Sequence, residues 1–319
     1  MSDYTNPSRL RWALSLTALA ATVPYLALKG HWIFGGRTGL TDPDFGTSPV
    51  MAGFNAATAA MEAAAIVLAL AFVMPWGRRV PALVIVAPMW VATGLLGQIL
   101  LTLPIQLALM TLAGSPLSDP GPGPIEAWVF TMVYGGFAVL GVCLISGFIM
   151  YARSRWSDAQ RWQAQLSTVG RPHFAAAAAL LLLAALIVAA STDLLNATAA
   201  AAALPAGEIT IYGIGVCSVL MIATGKPRSV RRWMPIFGAF LASGALTAWG
   251  SYLLIVMLIP NDLMAEADVT TAALAIAAAK VLSGVVCAIV LWRFTGAATR
   301  AVAHTGWSAQ SRTAAATNS

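Results

Sequence analysis

The stretch RRVPALVIVAPMWVATGLLGQILLTLP, residues 78–104, sets two arginines against an apolar run that closes at Leu103-Pro104 with no charge inside it. A hydrocarbon core about 30 Å thick takes about 20 apolar residues of helix at 1.5 Å rise per residue, so this run is long enough to cross a bilayer. Working outward, the same reading applies near 12–29, 50–74, 81–103, 126–151, 173–195, 207–224, 233–259 and 269–293. Eight spans follow. The chain is 59% hydrophobic and only 9% charged, against about 25% charged in soluble domains, which excludes a water-soluble fold. In hydrocarbon every backbone polar group needs an internal partner, and the runs are too long and too uniform for the alternation of a membrane barrel. The fold class is therefore all-α, a polytopic transmembrane helical bundle in which Pro24, Pro88 and Pro104 kink helices without ending them.

Charge sets the expected orientation. Of the 18 Lys and Arg residues, 15 fall before the first span or after the second, fourth, sixth and eighth. Asp42, Asp44, Asp119, Glu126, Glu208, Asp262, Glu266 and Asp268 are assigned to the opposite side. Short loops rich in Lys and Arg stay in the cytoplasm, so both termini are expected there. These basic residues are spread over five connections as topology determinants; anionic lipid headgroups, not nucleic acid, are the expected counter-charge. The first span is long, contains Pro24 and lacks a small-residue cleavage pattern, which reads as an uncleaved signal-anchor.

The chain also reads as two halves. Arg78-Arg79-Val80-Pro81 and Arg231-Arg232-Trp233-Met234-Pro235 open helices that close at Pro104 and Pro260 and carry Gly94 and Gly97, or Gly244 and Gly250, near mid-span. A duplication of four helices is the expectation, giving parallel repeats because an even number of crossings preserves orientation. The divisions are 1–152 for the first half, 153–172 for a Trp- and Arg-bearing interfacial linker helix, 173–294 for the second half and 295–319 for a disordered tail.

Inside the membrane, Glu62 and Lys280 lie at matching expected depths, and a charge at mid-bilayer faces the bundle interior and pairs. A Glu62–Lys280 ion pair is the economical reading. Asn55, Thr58 and Glu62 share one helix face, while Ala52, Ala56, Ala60 and Ala64 form a small-residue stripe on the other that calls for a closely packed neighbour. The second span is accordingly expected at the centre. Gln98 and Thr102 on the third span complete a polar cavity for a small molecule or an ion. A second candidate lies at the outer surface, where Lys29, His31, Asp42 and Glu126 offer acid–base groups for an enzyme acting on a lipid or isoprenoid-type substrate. A non-catalytic assembly partner is the third reading.

No cofactor or metal is assigned. His31 is expected on one side of the membrane and His173 and His304 on the other, and Cys143, Cys217 and Cys287 fall singly in separate spans, so no ligand set converges. Gly225-Lys226 ends a span without a Walker loop, and no GxSxG or HExxH occurs. Pro24, Tyr25, Lys29 and Trp32, with Pro75-Trp76-Gly77-Arg78-Arg79 after the second span, resemble a family of uncharacterised multi-pass membrane proteins of high-GC actinobacteria. That resemblance implies the cytoplasmic membrane of a bacterium and carries no activity, cofactor or catalytic residue with it.

Overall fold

The computed structural model describes residues 7–42, 44–112, 114, 123–155, 173–198, 201–227, 229–264 and 269–316. Eight long helices cross the bundle: α1 Arg9–Ile33, α2 Pro49–Ala71, α3 Ala82–Leu112, α4 Ala127–Arg155, α5 His173–Asn196, α6 Ala203–Thr224, α7 Trp233–Leu258 and α8 Thr271–Ala316. All are apolar and long enough to span a bilayer, α8 through its Thr271–Thr295 part. The protein is a multi-pass integral membrane protein. Eight crossings bring the start of α1 and the end of the α8 span to one face, called here the terminal face; the opposite loop face carries the connection 34–48. The linker helix expected over 153–172 lies, from 156 onward, outside the described residues.

Pro24 stands inside α1, and Pro88 and Pro104 inside α3. The helix continues past Pro104 to Leu112, because neighbouring helices shield the backbone groups that a proline frees. At the other ends, Ser8 and Ser48 cap α1 and α2 through their hydroxyls, satisfying amides that the first turn leaves open.

Helices α1, α2, α3 and α4 pack as one group and α5, α6, α7 and α8 as another, joined where α3 meets α6 and α7. The joint is a backbone contact. A Cβ at Gly94 would overlap the Gly244 backbone, and one at Gly244 would overlap the Trp90 carbonyl. The Trp90 indole N–H donates to Ser243 Oγ at 2.9 Å across the same crossing. Without a hydrophobic driving force between helices in lipid, such close approach lets dispersion and interhelical hydrogen bonds hold the pair. On its other side α7 meets α8 where Gly250 lies against Lys280 Cβ and Val281. The helix at the centre is therefore α7, not α2. Ala56, Ala60 and Ala64 of the small-residue stripe are exposed, so that stripe faces outward and not toward a packed neighbour within the chain.

Two further ties close the bundle. On the terminal face, the Arg11 guanidinium donates to the Phe72 carbonyl and, at 3.0 Å, to Ser154 Oγ. Arg155 donates to the Gly77 and Val80 carbonyls at 3.1 and 2.5 Å, and the Tyr151 hydroxyl donates to Gly77 O at 2.7 Å. These side chains, legible in the sequence only as charge, satisfy carbonyls left open where α2 ends. On the loop face, Asp262 accepts from the Gly46 amide at 2.7 Å and the Ser48 hydroxyl at 3.3 Å, linking the α7–α8 connection to the start of α2. Leu40 pairs with Ile125 in an isolated antiparallel bridge, which fastens the 34–48 connection to the start of α4.

The α3–α7 crossing leaves no room for side chains. Gly94→Leu should cost about 1–3 kcal/mol or more, as overpacking does, and lower the melting temperature of the purified protein. Gly53→Leu should be tolerated, because nothing lies within 4 Å of a Cβ there; equal losses at both positions would remove the crossing from its place in the architecture.

Candidate functional site

Lys280 and Glu62 do not pair. The Lys280 ammonium is held at 2.5 Å by Glu208 Oε1, and the Tyr212 hydroxyl donates to Glu208 Oε2 at 3.0 Å. The expected α6 boundary at 207 left Glu208 at the membrane edge. The helix instead begins at Ala203, which carries Glu208 about 7.5 Å down the helix at 1.5 Å per residue. Lys280 sits about 13.5 Å below the start of α8 on the same scale, within reach of a lysine stem extending upward. The pair closes the second half electrically, each charge meeting its counter-charge.

The first half is wired differently. The Lys29 ammonium donates to Asn55 Oδ1 at 2.7 Å and lies 5.1 Å from the centre of the Tyr25 ring and 5.0 Å from that of Trp32. One turn below Asn55, the Thr58 hydroxyl donates to the Phe54 and Asn55 carbonyls at 2.9 and 3.1 Å, with Tyr25 of α1 beside it. Two turns below Asn55 stands Glu62, 6% exposed, with Oε2 lacking any hydrogen-bond partner. The face of α2 read from the sequence thus forms a polar ladder against α1. Its foot is a buried carboxyl, and among the described residues neither Glu62 nor Lys29 contacts an opposite charge.

Aromatic side chains flank this ladder. Tyr25 packs edge-on to Phe137 of α4 with ring centres 5.1 Å apart, and its hydroxyl lies within electrostatic range of Glu62, Tyr134 of α4 and Tyr252 of α7. Tyr134 and Tyr252 keep 40% and 43% of their surfaces accessible. Trp249 stands edge-on to Tyr252 at 5.7 Å, its buried indole N–H without a partner. Above, at the loop face, a cavity of about 560 Å³ includes Trp32, Arg37, Asp42 and Thr47 in its wall. Trp32 lies in the wall of this cavity and also against the Lys29 ammonium.

The remaining expected members fall elsewhere. Thr102 lies against Gly207 of α6, beside the Glu208–Lys280 pair, and Gln98 is buried one turn away on the same α3 face. Each member of the surface quartet has its own local contact at the loop face. His31 Nε2 meets the Thr38 hydroxyl at 3.0 Å, Asp42 Oδ1 accepts from the Asp44 amide at 2.9 Å, and Glu126 Oε2 accepts from the Trp128 indole at 2.5 Å. With Lys29 turned to Asn55, each of the four is engaged by a different local partner. Tyr25, Tyr134, Tyr252 and Trp249 were missed as site residues because aromatic residues in spans read equally as packing; only convergence from three helices distinguishes them. Among the described residues no group of three His, Cys, Asp or Glu side chains could hold a metal ion.

No family model, no curated protein and no solved structure matches the chain.

The two halves predict opposite responses to charge removal. Removing one partner of a buried ion pair costs about 3–5 kcal/mol, so Lys280→Met and Glu208→Gln should each destabilise the protein strongly, with the double variant recovering part of the loss. Glu62→Gln should leave thermal stability unchanged or raised, since it removes a buried charge without a counter-charge. A loss from Glu62→Gln that Lys280→Met reverses would restore the Glu62–Lys280 pairing.

Proposed function

We propose that the protein is a transporter or solute-binding protein whose hollow leads from the loop face to Glu62, with this carboxyl as the group that changes charge during the cycle. The observation that carries the reading is the carboxyl itself, 6% exposed and unpartnered at Oε2, on a wall that includes accessible tyrosines. A charge this deep costs about 2.5–3.5 kcal/mol or more to insert. A group kept there without a structural partner fits a role in which a proton or a solute supplies the missing neutralisation. The titratable group beside it is Tyr25 of α1, and Lys29 lies about two turns above.

The orientation belongs to the same proposal. With the terminal face in the cytoplasm, the basic connections lie inside and the 34–48 connection, Lys29 and the upper cavity open outward. In a cysteine-free background, Leu112→Cys should react with an impermeant reagent from outside intact cells and Ser229→Cys only after permeabilisation. The reverse pattern would invert the proposed direction of entry.

The functional test uses proteoliposomes loaded with a pH-sensitive dye. An imposed solute or potential gradient should drive proton movement with wild-type protein, and Glu62→Gln should abolish that movement while leaving folding intact. Equal proton movement in both proteins would remove Glu62 from the mechanism.

A further inference from the structure

We propose that the hollow accepts a zwitterionic organic solute, its anionic end on Lys29 and its ammonium on Glu62. This inference rests on the reading of the hollow as the solute site. Three independent features point to it.

The first is the separation of charge. In the second half a lysine and a glutamate meet at 2.5 Å. In the first half Lys29 is held at Asn55, seven residues above Glu62 on α2, which places the two charges about 10 Å apart along the helix axis. The Tyr25–Thr58 contact stands between them as a neutral rung. Neither charge reaches the other.

The second feature is the quality of each charge's partners. Lys29 has a neutral amide oxygen and two ring faces, Tyr25 and Trp32. These orient an ammonium without neutralising it, which leaves capacity for an anion. Glu62 Oε2 has no hydrogen-bond partner at all. A monovalent cation would answer Glu62 and leave Lys29 as it is; an anion would do the reverse. A solute carrying both charges answers both.

The third feature is the wall. Tyr25 lies beside the carboxyl, with Tyr134 and Tyr252 near Tyr25 in turn, and aromatic faces attract organic ammonium groups through the ring quadrupole. They also accommodate the hydrocarbon between the charges, while the free Trp249 N–H and the tyrosine hydroxyls supply hydrogen bonds. A hydrated inorganic cation gains less from such a wall. The axial separation selects a solute whose charges stand several ångströms apart, such as an ω-amino acid, over an α-amino acid with adjacent charges.

The test is calorimetric titration of the purified full-length protein with 4-aminobutanoate and 6-aminohexanoate, each against its singly charged analogues: butanoate and butylammonium, hexanoate and hexylammonium. On wild-type protein at least one zwitterion should bind about tenfold or more tighter than both of its analogues, about 1.4 kcal/mol. Glu62→Gln should erase the preference over the carboxylate analogue, and Lys29→Met the preference over the ammonium analogue, each with melting temperature checked first. An ammonium analogue binding as tightly as its zwitterion overturns the proposal in favour of a plain cation site, and an equally tight carboxylate analogue overturns it in favour of an anion site. The comparison on wild-type protein decides this even where a variant fails to fold. No binding of any probe, with Glu62-dependent proton movement intact, overturns the zwitterion and leaves the transport reading standing; tight zwitterion binding without any flux leaves the site and removes transport.

Discussion

The backbone contact between Gly94 of α3 and Gly244 of α7 is the constraint on which the other contacts hang. In a bilayer the medium is as apolar as leucine, so two groups of helices gain nothing by hiding hydrophobic surface from it. They associate through close packing and through polar contacts made between helices. The glycines remove the side chains that would hold the backbones apart, and the Trp90–Ser243 hydrogen bond fixes the crossing once it forms. With α3 against one side of α7 and α8 against the other through Gly250, the first and second halves become one body.

That crossing also decides where the protein is not packed. The halves meet through α3, α6 and α7, and on the terminal face Phe148 of α4 stacks with Phe240 of α7 at 6.2 Å. Toward the loop face the wall of α1, α2 and α4 faces α7 through tyrosines whose surfaces stay accessible. The Asp262 contacts with Gly46 and Ser48 hold the two halves together above this space. The proposed solute space is thus bounded below by aromatic packing and above by the Asp262 contacts.

The electrical contrast between the halves follows from the same geometry. In the second half Glu208 stands where an upward-reaching Lys280 finds it, and Gly250 lets α7 approach the lysine stem closely. Desolvation is compensated there by direct pairing and by the Tyr212 hydroxyl. In the first half Lys29 sits near the end of α1 and Glu62 in the middle of α2, too far apart to meet, with a tyrosine–threonine contact between them. A bundle that needed only cohesion would be better served by two arrangements of the second kind. The first kind stores an interaction that an incoming group can complete.

The sequence by itself determined the class of fold, the eight spans and the polar face of α2. Each depends on local quantities: run length against bilayer thickness, the helical period, and the sign of charge in short connections. It also located Lys29, Asn55, Thr58 and Glu62, because polar side chains in an apolar run are conspicuous. What it left open was pairing. Lys280 goes to Glu208 because α6 starts one turn earlier than the apolar run does, and a single turn moves a carboxyl by about 5.4 Å in depth. Only the tertiary structure decided that α7, not α2, is central, that the alanine stripe faces outward, and that Tyr25, Tyr134, Tyr252 and Trp249 converge. Apolar periodicity in lipid does not mark an inner face, since the outside of each helix is as hydrophobic as the inside. Which side of a helix is buried is therefore settled by glycine contacts and polar partners from other spans, and those depend on the whole chain.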